Sequence, residues 1–138
     1  MLKFAKLRLV KESEKFIFKQ TGNPDAIHPF AVPSDTGVFV ELLVNSTPGQ
    51  NLLAASEMVS YATFMNIWSK VTGHPSEAQE ISVEEADKSA LGGFAREIAE
   101  SNATSAEFCW GERLVLPKDL DPNVKITSLR SYIKNEDY

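Results

Sequence analysis

One amphipathic helix with a signal at each end constrains the fold of this chain more than any other feature. Apolar side chains recur at helical spacing between Ser60 and Gly73 and form one broad stripe. The stripe consists of Tyr61, Phe64, Met65, Trp68 and Val71. The Ser60 hydroxyl can accept a hydrogen bond from a free amide of the first turn, and Gly73 can take the left-handed conformation that ends a helix. Because so short a helix is marginal alone in water, we expect its stripe to be buried, with Trp68 at the centre.

Strands and further helices alternate along the rest of the chain. Strands are predicted at Phe4–Val10, Glu14–Lys19, Leu52–Ala55 and Ala78–Ser82. Further helices are predicted after Asp35, from Ser82 to about Leu91, from Phe94 onward, and after a cap at Thr127 or Ser128. This order indicates an α+β fold, a small mixed sheet with about four helices, and 138 residues predict a single domain, 1–138.

Two of these helices carry start signals. Ser82 followed by Glu85 is a capping box, and the Asp35 carboxylate can cap the free amides of the helix that follows it. That second helix contains Val38–Val44, which is apolar on nearly every side except at Glu41. A helix of this kind is buried or packed against a partner, so we expect a homodimer formed through it.

Composition excludes several classes of function. The net charge of −5 argues against nucleic acid as the main partner, and no run approaches the length of a membrane span. The single cysteine, Cys109, allows no internal disulfide, fits a cytoplasmic location, and is expected to be a small buried apolar side chain.

Four segments in register carry a family resemblance. LLAASEMVSYATFMNIWSKVTG, HPFAVPSDTGVFVELLV, ISVEEAD and the final LPKDLD…TSLRSYIKNEDY resemble the C-terminal half of the NmrA-like family, a branch of the atypical short-chain dehydrogenase/reductases. The resemblance covers Phe16–Tyr138. It implies the substrate-side half of such a protein, with Val38–Val44 placed beside the nucleotide-binding half in full-length relatives.

The phosphate-binding turn of that family is not in the sequence. A dinucleotide-binding turn needs glycines after a strand, and the chain has no G-x-G-x-x-G. Its paired glycines, Gly92 and Gly93, lie in a predicted helical region. We therefore expect no cofactor and no NAD(P)-dependent reduction by this chain alone.

Four side chains are candidates for proton transfer without a cofactor: His28, His74, Glu57 and Asp35. Both histidines precede a proline and are expected to lie in solvated loops. The two carboxylates are better explained as helix caps, Asp35 for the helix that follows it and Glu57 for the next helix. Two histidines and one cysteine do not supply the three or four ligands of a metal site, so none is expected.

Six apolar side chains are candidates for substrate binding: Tyr61, Met65, Trp68, Phe94, Phe108 and Trp110. Each is also explained as part of the core. Because members of the family bind substrate on their C-terminal side, the resemblance implies that some of the six line a cleft.

These observations support one leading hypothesis and two others. The first is a stand-alone substrate domain that binds a small apolar organic molecule; if it is an enzyme, it would be a cofactor-independent isomerase, cyclase or dehydratase. The second is a non-catalytic regulatory or protein-interaction module, and the third is a fragment without activity. The sequence leaves open whether the chain is catalytic.

Overall fold

The computed structural model describes residues 9–12, 14–89, 93–111 and 114–136, with the backbone alone for residues 9–12 and for Phe94. The strands are β1 (Leu9–Glu12), β2 (Lys15–Thr21), β3 (Ile27–Phe30), β4 (Glu57–Ser60) and β5 (Ser76–Ile81). The helices are α1 (Thr36–Asn45, after a 3₁₀ turn at Pro33–Asp35), α2 (Tyr61–Thr72), α3 (Val83–Asp87), α4 (Phe94–Phe108), α5 (Pro117–Leu120) and α6 (Leu129–Asn135).

The strands form two small sheets. In the first, β2 lies between β1, with which it is antiparallel, and β5, with which it is parallel. The second is the antiparallel pair β3–β4. The predicted mixed sheet of the α+β class is therefore confirmed, and within the described ranges four helices of seven residues or more accompany it.

Helix α2 is the centre of the core, as its sequence predicts. The Ser60 hydroxyl accepts a hydrogen bond from the Thr63 amide at 3.0 Å, and Gly73 has a φ of 77°. The buried core consists of Val32, Phe64, Met65, Trp68, Leu129 and Ile133. α6 supplies the last two of these and is capped by Ser128. The apolar stripe of α2 thus packs on α6 and on side chains of both sheets, among them Phe16 and Phe18 of β2 and Val59 of β4.

Several predicted boundaries are wrong. Leu52–Ala55 is not a strand, because Leu52 forms only an isolated bridge with Val115. The strand in this part of the chain is β4, which begins at Glu57. Ser82 caps α3 by accepting from the Glu85 amide, but the helix ends at Asp87 rather than at Leu91. Most of the strand predicted at Phe4–Val10 lies outside the described residues.

Helix α1 differs most from its prediction. Only Phe39 in it is buried, whereas Val44 is 77% exposed and Val40 and Leu43 are also exposed, so the helix is not enclosed on all sides. Asp35 makes no capping hydrogen bond, because its carboxylate is used elsewhere. Within the described residues, no helix combines the length and apolarity that crossing a bilayer requires.

Candidate functional site

His28 lies in a strand and is buried, which corrects the prediction of a solvated loop. It pairs with Val59 across the β3–β4 ladder and is 4% exposed. Because side chains alternate along a strand, His28 and Phe30 lie on the face that meets α2, while Ile27 is exposed on the other face. The pairing with β4 is a non-local contact, and it buries this histidine.

Two aromatic rings, Tyr61 and Trp110, lie beside the His28 imidazole. Tyr61, the first residue of α2, has its ring centroid 4.7 Å from that of His28, and it also contacts Phe18 at 5.1 Å and Phe30 at 5.6 Å. Trp110 lies edge-on to His28, with centroids 6.3 Å apart and an interplanar angle of 78°. We call these five rings, Phe18, His28, Phe30, Tyr61 and Trp110, the aromatic cluster.

The docking of α4 onto β2 brings Trp110 to the cluster. The Thr21 hydroxyl donates to the Ala99 carbonyl at 2.5 Å, in the middle of α4. Gly22 makes the close approach possible, since a Cβ there would lie 2.7 Å from the Ala106 Cβ. Trp110 follows the end of α4 and is 41% exposed, so it forms the solvent side of the cluster.

The cluster contains the ring nitrogen His28 Nε2. It is buried and has no hydrogen-bond partner among the described residues. Burial lowers the pKa of the His28 imidazole from its ordinary value of 6.5 and raises the pKa of the Tyr61 phenol. At neutral pH both groups are therefore uncharged, and the imidazole can donate or accept one hydrogen bond at Nε2 according to its tautomer.

Asp35 and Glu57 make structural hydrogen bonds. Asp35 is buried and accepts from the Ser56 hydroxyl at 2.7 Å, and from the amide and hydroxyl of Thr127 at 3.0 and 2.7 Å. Glu57 Oε1 accepts from the Leu129 amide at 3.1 Å, which places it at the start of α6 rather than at the start of the next helix, α2. Both carboxylates thus hold together segments that are distant in the sequence.

His74 lies at the far end of α2 from His28. It is exposed, with its ring 5.5 Å from Phe16 and 6.2 Å from Trp68. Twelve helical residues separate the two ends, a length of about 18 Å, so the structure does not bring the two histidines together.

The six candidates for substrate binding are distributed over core and surface. Tyr61 and Trp110 belong to the aromatic cluster, while Met65 and Trp68 are core residues. Phe108 is 70% exposed and makes no ring contact among the described residues, and the Phe94 side chain lies outside them. Cys109 is exposed, contrary to the expectation of a buried thiol, because the chain leaves α4 at that residue.

Sequence reasoning did not identify Phe18 and Phe30, which contact Tyr61, as members of the aromatic cluster. The period-two alternation of β3 carried a signal for Phe30, since positions 28 and 30 share a face. A second unpredicted feature is a groove of about 460 Å³ between α1 and the segment 120–125. Its lining includes Val38, Leu42, Leu120 and Val124, with Glu41 and Lys125 among its polar residues.

The described residues do not fit a metal ion or a dinucleotide. They contain no group of three or more His, Cys, Asp or Glu side chains that could hold a metal. The junctions from β4 to α2 and from β5 to α3 contain no glycine, and the serine side chains of Ser60 and Ser82 occupy amides at these helix starts. A pyrophosphate would need such amides and a close backbone approach.

Neither a protein-family model nor a curated protein sequence matches this chain. Solved structures of similar fold include an NADPH-dependent quinone oxidoreductase from Escherichia coli, with a TM-score of 0.64 and 16% identity over 85% of this chain and 45% of that one. A mutant of NmrA has a TM-score of 0.64 and 14% identity over 94% of this chain and 45% of that one. Leucoanthocyanidin reductase from Vitis vinifera has a TM-score of 0.62 and 12% identity over 91% and 46%.

These likenesses concern the fold. They confirm an α+β fold that matches part of the NmrA-like fold, and one of these neighbours is described as an NADPH-dependent quinone oxidoreductase. The chain spans less than half the length of each of these three solved chains.

Proposed function

We propose that this chain is a substrate-side domain of the NmrA-like type and that it binds a small, largely apolar ring compound at the aromatic cluster. The observation that carries the proposal is the buried His28, whose Nε2 has no partner among the described residues. The imidazole lies beside Tyr61 on one side and the partly exposed Trp110 on another. Aromatic rings with one oriented polar group are typical of small-molecule sites.

The names of the structural neighbours agree with this ligand class. A quinone and a leucoanthocyanidin are the compounds named for two of them, and both are ring compounds that carry oxygen. Identities of 16% and 12% do not transfer either substrate to this chain. The neighbours therefore support a ring compound as the class of ligand to test first.

The experiment is a fluorescence titration with 1,4-naphthoquinone, a flat ring compound that quenches tryptophan. The chain has two tryptophans, Trp68 in the core and Trp110 at the cluster. We expect saturable quenching in the wild type and its loss in Trp110→Phe, whose emission comes from Trp68 alone. Quenching that rises linearly without saturation, with the same slope in both proteins, would contradict binding at the cluster.

If the domain is catalytic, we propose that His28 moves the proton. A neutral imidazole with a free Nε2 can remove a proton from a carbon next to a ketone and return one to the resulting enolate, which is the basis of cofactor-free isomerisation. In deuterated water, 1-tetralone should then exchange its α-hydrogens faster with the wild type than with His28→Phe. Equal exchange rates in the wild type and His28→Phe would contradict catalysis by His28 but not ligand binding at the aromatic cluster.

The second candidate function, an interaction module, rests on the exposed face of α1. Gly37, Val40, Leu43 and Val44 form this face, which we call the α1 face. We propose a second copy of the chain as its partner, because a two-fold contact places each residue near its own counterpart and the four residues of the α1 face are uncharged, with the exposed Glu41 at the edge of the face. An acidic or basic face would repel its copy.

A further inference from the structure

We propose that a flat ring ligand takes the place that the Trp110 indole holds beside His28, and that an oxygen on the ligand hydrogen-bonds to His28 Nε2. This inference rests on the proposed function and names its substrate class: ring compounds that carry a hydroxyl or carbonyl oxygen.

The rings on the two sides of His28 differ in how firmly they are held. Tyr61 begins α2 and contacts Phe18 and Phe30, so moving it would disturb the core. Trp110 lies outside any helix or strand, is 41% exposed and meets His28 only edge-on. Trp110 is therefore the ring that can leave without unfolding the domain.

The backbone on both sides of Trp110 has positive φ. Cys109 has a φ of 60°, the only positive value among the described residues other than glycine, and Gly111 has a φ of 94°. A cysteine in this region is strained, whereas a glycine is not. The strained Cys109 and the permissive Gly111 make the Trp110 segment able to change conformation on the surface of an otherwise packed cluster.

The ligand is expected to carry an oxygen because His28 Nε2 has no hydrogen-bond partner among the described residues. A buried nitrogen without a partner destabilises the protein that contains it, so a ligand that supplies the missing hydrogen bond gains affinity over one that does not. A hydroxyl can serve either tautomer of the imidazole, since it both donates and accepts. A carbonyl serves the tautomer that carries its proton on Nε2. The lowered pKa of His28 agrees with an uncharged partner rather than an anionic one.

The test compares 2-naphthol with 2-methylnaphthalene, which have nearly the same shape and differ in one hydroxyl group. Affinities are measured by ligand-observed NMR for the wild type and for His28→Phe, His28→Gln and Trp110→Ala. Phe108→Ala is the matched control, because Phe108 is an exposed aromatic residue two positions from Trp110 with no ring contact among the described residues. Thermal melts confirm that each variant is folded.

We expect the wild type to bind the naphthol about three- to tenfold more tightly, which is the effect of one added hydrogen bond. His28→Phe should reduce that ratio to about one, and His28→Gln, which keeps an amide N–H, should retain part of it. Trp110→Ala should bind both compounds more tightly with the ratio preserved, and Phe108→Ala should bind as the wild type does.

Three results would overturn the inference. If the ratio of the two affinities is unchanged in His28→Phe, the naphthol does not hydrogen-bond to His28 Nε2. Weaker or unchanged binding in Trp110→Ala would make Trp110 a wall of the site rather than an occupant of it. If the wild type binds both compounds with equal affinity, the inference is wrong but the proposed function stands. If it binds neither compound, the proposed function is wrong as well.

Discussion

At the scale of single residues, one buried carboxylate joins three segments. Asp35 accepts hydrogen bonds from Ser56, which precedes β4, and from both the amide and the hydroxyl of Thr127, which precedes α6. Hydrogen bonds to a charged acceptor are stronger than neutral ones. The loops that enter α1, β4 and α6 thus share one anchor.

Asp35→Asn tests this anchor. An amide offers one acceptor oxygen instead of two and carries no charge, so the hydrogen bonds that remain are weaker neutral ones, and a bond to a hydroxyl on the NH₂ side must reverse its direction. We expect the free energy of unfolding to fall by about 2 kcal/mol in urea denaturation. Asp25→Asn is the control, because Asp25 is exposed. Equal stability of the two variants would mean that the anchor contributes little.

His28 gives the stability of the domain a pH dependence. Its pKa is lowered by burial, so between that lowered value and the ordinary 6.5 the unfolded chain binds more protons than the folded chain does. We therefore expect stability to fall as the pH falls from about 7.5 to about 5.5, and to do so less in His28→Gln. Chemical denaturation at each pH measures both proteins. An equal or steeper fall in His28→Gln would contradict the assignment.

At the scale of elements, α2 could be predicted because its signals are local. The cap Ser60, the stripe and the terminal Gly73 all lie within one short stretch, and each has the conformation that its residue type favours. The strand β4 was not found, because Glu57–Ser60 is defined by its partner β3, thirty residues earlier in the chain. Pairing over such a distance leaves little trace in a local apolar pattern.

Trp68→Ala tests the role of α2 as the centre of the core. Trp68 is 2% exposed, and its ring lies 5.3 Å from that of Phe16 in an edge-to-face contact. We expect a loss of about 3–5 kcal/mol in the free energy of unfolding, as for other large aromatic truncations in cores. Asn66→Ala on the exposed side of the same helix should change stability little. If the unfolding midpoint of Trp68→Ala shifts as little as that of Asn66→Ala, the apolar stripe of α2 does not lie in the core.

At the scale of the whole molecule, the fold class was predictable and the site was only partly so. Helix and strand order gave the α+β architecture, and the candidate list contained His28, Tyr61 and Trp110. Their convergence depends on three long-range contacts: β3 on β4, α2 on β3, and α4 on β2. Local sequence patterns do not encode such contacts, which is why His28 was expected in a solvated loop.

The α1 face predicts the assembly state. If two copies meet there, light scattering of the wild type should give a mass of about twice 15.3 kDa. Val44→Glu should shift the mass to that of one chain, because it places two like charges near each other across the two-fold axis. Asn66→Glu adds the same charge on α2 and should leave the dimer intact. A mass near 15.3 kDa for the wild type at every concentration would rule out the dimer.

The central claim, that the aromatic cluster is the ligand site, is tested most directly by mapping a bound ring compound on the protein. We would titrate the wild type with 2-naphthol and follow the backbone amide and indole N–H resonances by NMR. The account predicts that the largest saturable shifts occur at His28, Tyr61 and Trp110. Shifts centred instead on the groove between α1 and the segment 120–125, or no saturable shifts at all, would contradict it.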